Sequence, residues 1–123
     1  MSPKKVMIVE DHEEMQILYK AIFRKEQDLQ IVSQEENAEN AIKAIPELKP
    51  DLVVIDISLP GMTGIELTQY IRTHYPEIKI LVVTAYEPER YFRIAKEAGA
   101  DNLVTKTSAF NVVIEAKKLL LSD

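Results

Sequence analysis

Four places along this chain end an apolar stretch near a side chain able to do chemistry. Asp56 closes Leu52-Val-Val-Ile-Asp56 and is followed by Ile57-Ser-Leu-Pro-Gly61, a turn signal. Glu10 and Asp11 follow Val6-Met-Ile-Val9, Thr84 follows Ile80-Leu-Val-Val83, and Lys106 stands just beyond Asn102-Leu-Val-Thr105. Carboxylates gathered at one place repel one another unless a cation joins them, and hard oxygen donors suit Mg²⁺. With the ion in place, Asp56 can turn one oxygen to the metal and use the other as a nucleophile towards a phosphoryl group, giving an aspartyl phosphate. Lys106 and Thr84 would then supply an ammonium and a hydroxyl for the charge that develops on the phosphoryl oxygens. Taken singly, each residue has a plainer reading: Glu10-Asp11 as a solvated helix start, Asp56 as a turn cap, Thr84 as a β-branched strand end, Lys106 as a loop charge. Separate strand ends that each carry the type needed for one reaction favour the joint reading.

These residues meet only if the elements between them return the chain to one edge. Val6 to Val9 reads as a strand, and 11–25 as a helix burying Met15, Leu18, Tyr19, Ile22 and Phe23, with Asp11 and Glu14 resembling a capping pair. Leu29 to Val32 is a second strand, followed by a helix with Ala38, Ala41, Ile42 and Ile45 on one face, which Pro46 is expected to end or kink. Leu52 to Asp56 is the third strand, and Gly64 to about Tyr75 a helix with Ile65, Thr68 and Ile71 on one side. Ile78 to Thr84 is a strand, Glu89 to Ala98 a helix closed by Gly99, and Asn102 to Thr105 a short last strand. Ala109 to Leu121 closes the chain as a helix, with Phe110, Val113, Ile114, Lys117 and Leu120 or Leu121 turned inward. Five strands alternating with five helices predict an α/β fold with right-handed crossovers: a doubly wound, flavodoxin-like parallel sheet of strand order 2-1-3-4-5. The carboxyl ends of such strands form the edge where sites are built.

Composition narrows the function. A chain of 123 residues with 46% hydrophobic side chains and three glycines suits one domain with a real core. Cysteine is absent, so neither a disulfide framework nor a thiolate metal site is available, in keeping with a reducing, cytoplasmic setting. The first apolar run stops at acids after four residues, too short for a signal peptide or a membrane span. A net charge of −5 without a dense basic run argues against nucleic-acid contact by this domain.

The set as a whole resembles the receiver domain of two-component response regulators, across essentially the full length. The resemblance rests on Glu10-Asp11 after Val-Met-Ile-Val, Asp56 in Asp51-Leu-Val-Val-Ile-Asp-Ile-Ser-Leu-Pro-Gly-Met-Thr-Gly64, Thr84-Ala85, and Ala98-Gly-Ala-Asp101 followed by Lys106. It implies that Asp56 takes a phosphoryl group from a phosphohistidine on a sensor histidine kinase or phosphotransfer protein. It also implies that the domain catalyses its own aspartyl phosphorylation and dephosphorylation. Glu10, Asp11, Asp56 and the backbone carbonyl of Ser58 would hold Mg²⁺, with Thr84 and Lys106 on the phosphoryl oxygens. His12, Pro60-Gly61 and Lys106-Thr-Ser108 look most similar to the branch that carries a carboxyl-terminal helix-turn-helix output domain, which regulates transcription. Residues 1–123 would then be the single receiver domain of such a regulator, with the output domain outside this chain. The resemblance also implies a face of fourth helix, fifth strand and fifth helix, with Tyr91, Arg93, Lys96 and Glu97, for a partner or for homodimerisation on phosphorylation.

Two positions depart from the family pattern. Thr107 replaces the proline that many receivers have after the lysine. Leu103 replaces the aromatic residue found three positions before it, so readout is expected to rely on Thr84, the stretch from Ala85 to Glu89 and the fourth helix, with Tyr86 or Tyr91 taking part. His12 reads as a loop residue near the acids, and His74 as the end of the third helix. Competing readings are a non-phosphorylated pseudo-receiver, which has no need of Lys106 and clustered acids, and a flavin binder, whose phosphate would be repelled by Glu10-Asp-His-Glu-Glu14 where a loop rich in Ser, Thr and Gly is wanted. A haloacid-dehalogenase-type phosphatase would want an acid where Ser58 stands.

Overall fold

A computed structural model describes residues 2–85, 87–106 and 108–121; Tyr86 and Thr107, both singled out above, lie outside the described residues. The strands are β1 (Lys4–Val9), β2 (Leu29–Glu35), β3 (Leu52–Asp56), β4 (Lys79–Thr84) and β5 (Asn102–Thr105). They form one sheet in the order β2-β1-β3-β4-β5, with every neighbouring pair parallel, as expected. The helices are α1 (Glu13–Phe23), α2 (Ala38–Leu48), α3 (Gly64–His74), α4 (Pro88–Ala98) and α5 (Ala109–Leu121). Among the described residues, no helix is long and apolar enough to cross a membrane.

Successive side chains of a strand point to opposite faces, and this alternation splits the core in two. Met7, Val9, Val53, Ile55, Ile80, Val82 and Leu103 pack with Ala38, Ala41 and Ile45 of α2, Leu67 and Ile71 of α3, and Ala95 of α4. Val6, Ile8, Leu52, Val54, Leu81 and Val83 pack on the other side with Tyr19, Ile22 and Phe23 of α1 and Ala109, Val112, Val113 and Ala116 of α5. Strands buried on both faces read as unbroken apolar runs, as β3 and β4 do.

Several local expectations need correction. The buried stripe of α5 is Ala109, Val112, Val113 and Ala116, whereas Phe110 and Ile114 are 61% and 53% exposed and Leu121 also faces outward. Small alanines let the helix lie close to the sheet, and the bulkier stripe is turned away. Leu18, expected inside, is 43% exposed at the margin of the α1 stripe. Pro46 does not end α2, which runs on to Leu48: the missing N–H costs one bond near the terminus, and Lys49, left-handed at φ 49°, closes the helix through its N–H to the Ile45 carbonyl. The residue at the start of α1 is His12, without a side-chain cap, and Asp11 and Glu14 form no capping pair there. The capping box lies instead at Thr63 and Glu66, before α3.

Candidate functional site

Each strand hands its next residues to the same edge. Past β1, Glu10 keeps the ladder going by donating its N–H to the Glu35 carbonyl, and it is 1% exposed. Asp56, the last residue of β3, is 3% exposed, and Ile57 N–H still bonds to the Val83 carbonyl, so the carboxylate is held against β4. Thr84 ends β4 fully buried, paired in register with Thr105, and its carbonyl accepts from Lys106 N–H at 2.8 Å.

The Lys106 side chain turns back over this edge. Its Nζ lies 2.8 Å from Glu10 Oε1 and donates to Asp56 Oδ2 at 3.0 Å. Burial pulls the ammonium pKa down, but its interactions with Glu10 and Asp56 outweigh that, and the pKa is raised. Asp56 Oδ1 faces the other way and accepts from Ser58 N–H at 3.2 Å. Below, the phenol of Tyr19 is almost fully enclosed: burial first, then the charges of Glu10 and Asp56, push its pKa up.

The outer side of the acids is occupied by His12. Its N–H and its ring Nδ1 both reach Glu10 Oε2, at 3.0 and 2.9 Å, and Nδ1 lies 3.3 Å from Asp11 Oδ1. The bond to Glu10, then the charges of Asp11 and Glu10, raise the imidazole pKa. One donor atom from each of Glu10, Asp11, His12 and Asp56 lies within 4.8 Å of the others, and Asp11 Oδ1 is shielded from solvent without a hydrogen-bond partner. Closely spaced carboxylate oxygens beside an imidazole nitrogen fit a divalent cation.

Glu10, Asp11, Asp56, Thr84 and Lys106 therefore all converge on this edge, with Ser58 present through its N–H. Two contributors were not anticipated. Gln16 donates from Nε2 to the Glu10 carbonyl at 2.6 Å, fixing the acid pair against α1; nothing in the sequence marks it. Gly64 opens α3 so close to β3 that an added Cβ would overlap the Asp56 carbonyl oxygen, and Thr63-Gly-Ile-Glu66 is the signal that places a helix start there.

The family model described as a response regulator receiver domain matches residues 6–118. The chain belongs to that family. Among curated relatives of this receiver, VraR of Staphylococcus saprophyticus is 31% identical over 114 residues, covering 93% of the chain and 54% of VraR. The transcriptional regulatory protein DegU of Brevibacillus brevis is 29% identical over 115 residues, covering 94% of the chain and 49% of DegU. The receiver thus spans about half the length of these relatives. Among solved structures, a LuxR-family two-component response regulator from Aurantimonas superposes with a TM-score of 0.88 at 31% identity, covering 98% of this receiver and 86% of that chain. A LuxR-family DNA-binding response regulator from Staphylococcus aureus gives a TM-score of 0.86 at 30% identity, covering 94% and 98%.

Proposed function

We propose that this receiver is a phosphorylation-driven switch whose phospho-acceptor is Asp56. An Asp56 carboxylate oxygen attacks the phosphorus of a phosphohistidine on a sensor kinase or phosphotransfer protein; the N–P bond breaks, and the imidazole leaves with its electron pair. Glu10, Asp11, Asp56 and the Ser58 carbonyl would hold Mg²⁺, which would supply charge neutralisation for carboxylates and phosphoryl oxygens. Lys106 is already placed on Asp56 and offers its ammonium to the incoming group, while Thr84 offers a hydroxyl. The observation that carries this reading is Lys106 Nζ between Glu10 and Asp56, 2.8 and 3.0 Å away, at an edge lined by acids.

Phosphorylation favours an active arrangement only by the free energy of the interactions that the phosphoryl group makes there and not in the resting one. Leu103 is buried among α4-side residues, including Ala95, so no aromatic ring occupies that position to report movement of Thr84. The readout then runs through Thr84, the stretch after it and α4. The output is transcriptional, through a domain outside this chain, in the cytoplasm, with homodimerisation on phosphorylation through the face of α4, β5 and α5.

The deciding experiment incubates the protein with Mg²⁺ and a small phosphodonor and weighs it intact. One added phosphoryl group is expected in the wild type and none in Asp56→Asn. No gain, or a gain that survives Asp56→Asn, overturns the proposal in favour of a pseudo-receiver or a different acceptor.

A further inference from the structure

Resting on that reading of the acidic pocket, the geometry points to His12 as an additional, nitrogen ligand, one that makes the pocket a better site for late first-row transition metals such as Co²⁺ and Ni²⁺ than carboxylates alone would. We propose that ligation is through Nδ1.

The argument begins with distances. A divalent ion with bonds of about 2.1 Å sets neighbouring donors about 3 Å apart and opposite donors about 4.2 Å apart. His12 Nδ1 stands 2.9 Å from Glu10 Oε2 and 3.3 Å from Asp11 Oδ1, which are neighbouring-donor separations. With Asp56 added, one donor atom from each of the four residues lies within 4.8 Å of the others, so a shift of about half an ångström would bring the set within one shell. Lys106 leaves this side free, because it engages Glu10 Oε1 and Asp56 Oδ2 instead. Asp11 Oδ1, shielded from solvent and accepting no hydrogen bond, has the imidazole Nδ1 beside it at 3.3 Å as its ion-pair partner.

The nitrogen that faces the acids is Nδ1. His12 N–H already bonds to Glu10 Oε2, so the residue is tied to the carboxylate its ring must share a metal with. The ring itself is largely exposed, with side-chain accessibility of 63%, leaving room for the remaining ligands to be waters. Ligation needs the neutral ring with its proton on Nε2. Imidazole nitrogen discriminates among metals where carboxylate does not: it suits Ni²⁺, Co²⁺, Cu²⁺ and Zn²⁺, and gives little to Mg²⁺.

The test is calorimetric titration of the wild type, His12→Ala and His12→Asn with Mg²⁺, Co²⁺ and Ni²⁺. Co²⁺ and Ni²⁺ affinities are expected to fall about 10- to 100-fold in both variants, with Mg²⁺ affinity changed less than about threefold. The absorption spectrum of bound Co²⁺ should change in both. An equal loss for all three metals would mean that His12 only positions Glu10, and no loss would mean that it is a bystander; either overturns the inference. Retained Co²⁺ affinity in His12→Asn also overturns it, since asparagine replaces the hydrogen bond but not the nitrogen ligand. Failure of the wild type to bind Mg²⁺ sinks the underlying reading of the pocket, and the Co²⁺ arm still reports on His12 separately.

Discussion

Lys106 Nζ donates a 3.0 Å hydrogen bond to Asp56 Oδ2 across 50 residues of sequence, closing the sheet edge from β5 back to β3. The same ammonium lies 2.8 Å from Glu10. Removing it leaves two buried carboxylates facing each other. Lys106→Met is expected to destabilise the domain by about 3 kcal/mol, the scale for breaking a buried pair by deleting one partner. Urea unfolding at neutral pH measures this, and a midpoint unchanged from the wild type would show the bridge to be idle. Phosphorylation in the mass assay should slow at least about tenfold.

Metal binding should appear as stability. A ligand that binds only the folded state at about a hundred times its Kd stabilises by about 2.7 kcal/mol. Saturating Mg²⁺ is therefore expected to raise the Tm of the wild type by several degrees, and that of Asp11→Asn by much less. Thermal melts with Mg²⁺ and with EDTA decide it.

Alkaline pH should unfold the protein through two groups on this edge. The pKa of Tyr19 is raised above its ordinary 10.0 and that of Lys106 above its ordinary 10.5. A raised folded pKa means that the folded state keeps its proton after the unfolded chain has lost it. The associated stability is complete below about pH 10 and is lost progressively above it, by up to about 1.4 kcal/mol per pH unit for each group. Tyr19→Phe should flatten that decline by one proton's worth in denaturant midpoints measured between about pH 9 and 11. An identical slope would remove Tyr19 from the account.

Gly64 permits the close approach of α3 to β3. Gly64→Ala drives a Cβ against the Asp56 carbonyl oxygen, which is backbone and cannot swing aside. A loss of about 1–3 kcal/mol is expected from overpacking, together with slower phosphorylation, because the displaced atoms belong to the proposed acceptor residue. Thr63→Ala, which deletes only the cap of the same helix, should cost about 1 kcal/mol and leave phosphorylation nearly unchanged.

Leu103 is 5% exposed within the α4-side core. Leu103→Ala should cost about 2–5 kcal/mol, and Leu103→Phe about 1–3 kcal/mol through overpacking. Denaturation midpoints separate these. A Phe variant as stable as the wild type would reveal room for an aromatic ring that the packing does not suggest.

Much of this was legible in the sequence because strands buried on both faces leave a strong signal. β3 and β5 fall where Leu52–Asp56 and Asn102–Thr105 predict, and the acids, Thr84 and Lys106 arrive at one edge because parallel strands must end there together. Helix faces were harder to read. In α5 two apolar stripes compete, and size alone favours Phe110 and Ile114, whereas close packing on the sheet selects Ala109 and Ala116. Gln16 escaped notice because a hydrogen bond between its side chain and the Glu10 carbonyl depends on the angle at which α1 leaves β1, which no local pattern encodes.

The sheet's two packed sides have a consequence for how the molecule tolerates change. Val82 and Val83 are neighbours in sequence, yet they belong to separate apolar clusters with the backbone as a wall between them. Distant sites without shared partners contribute additively, so defects in α2 and α5 should sum as though they were in different proteins. At the rim the strands stop, and with them the wall: by alternation Asp56 ends the row on the Tyr19 side and Thr84 the row on the Leu103 side. Double mutants pairing one residue from each side are therefore expected to be additive along the strands, with any departure from additivity confined to that rim.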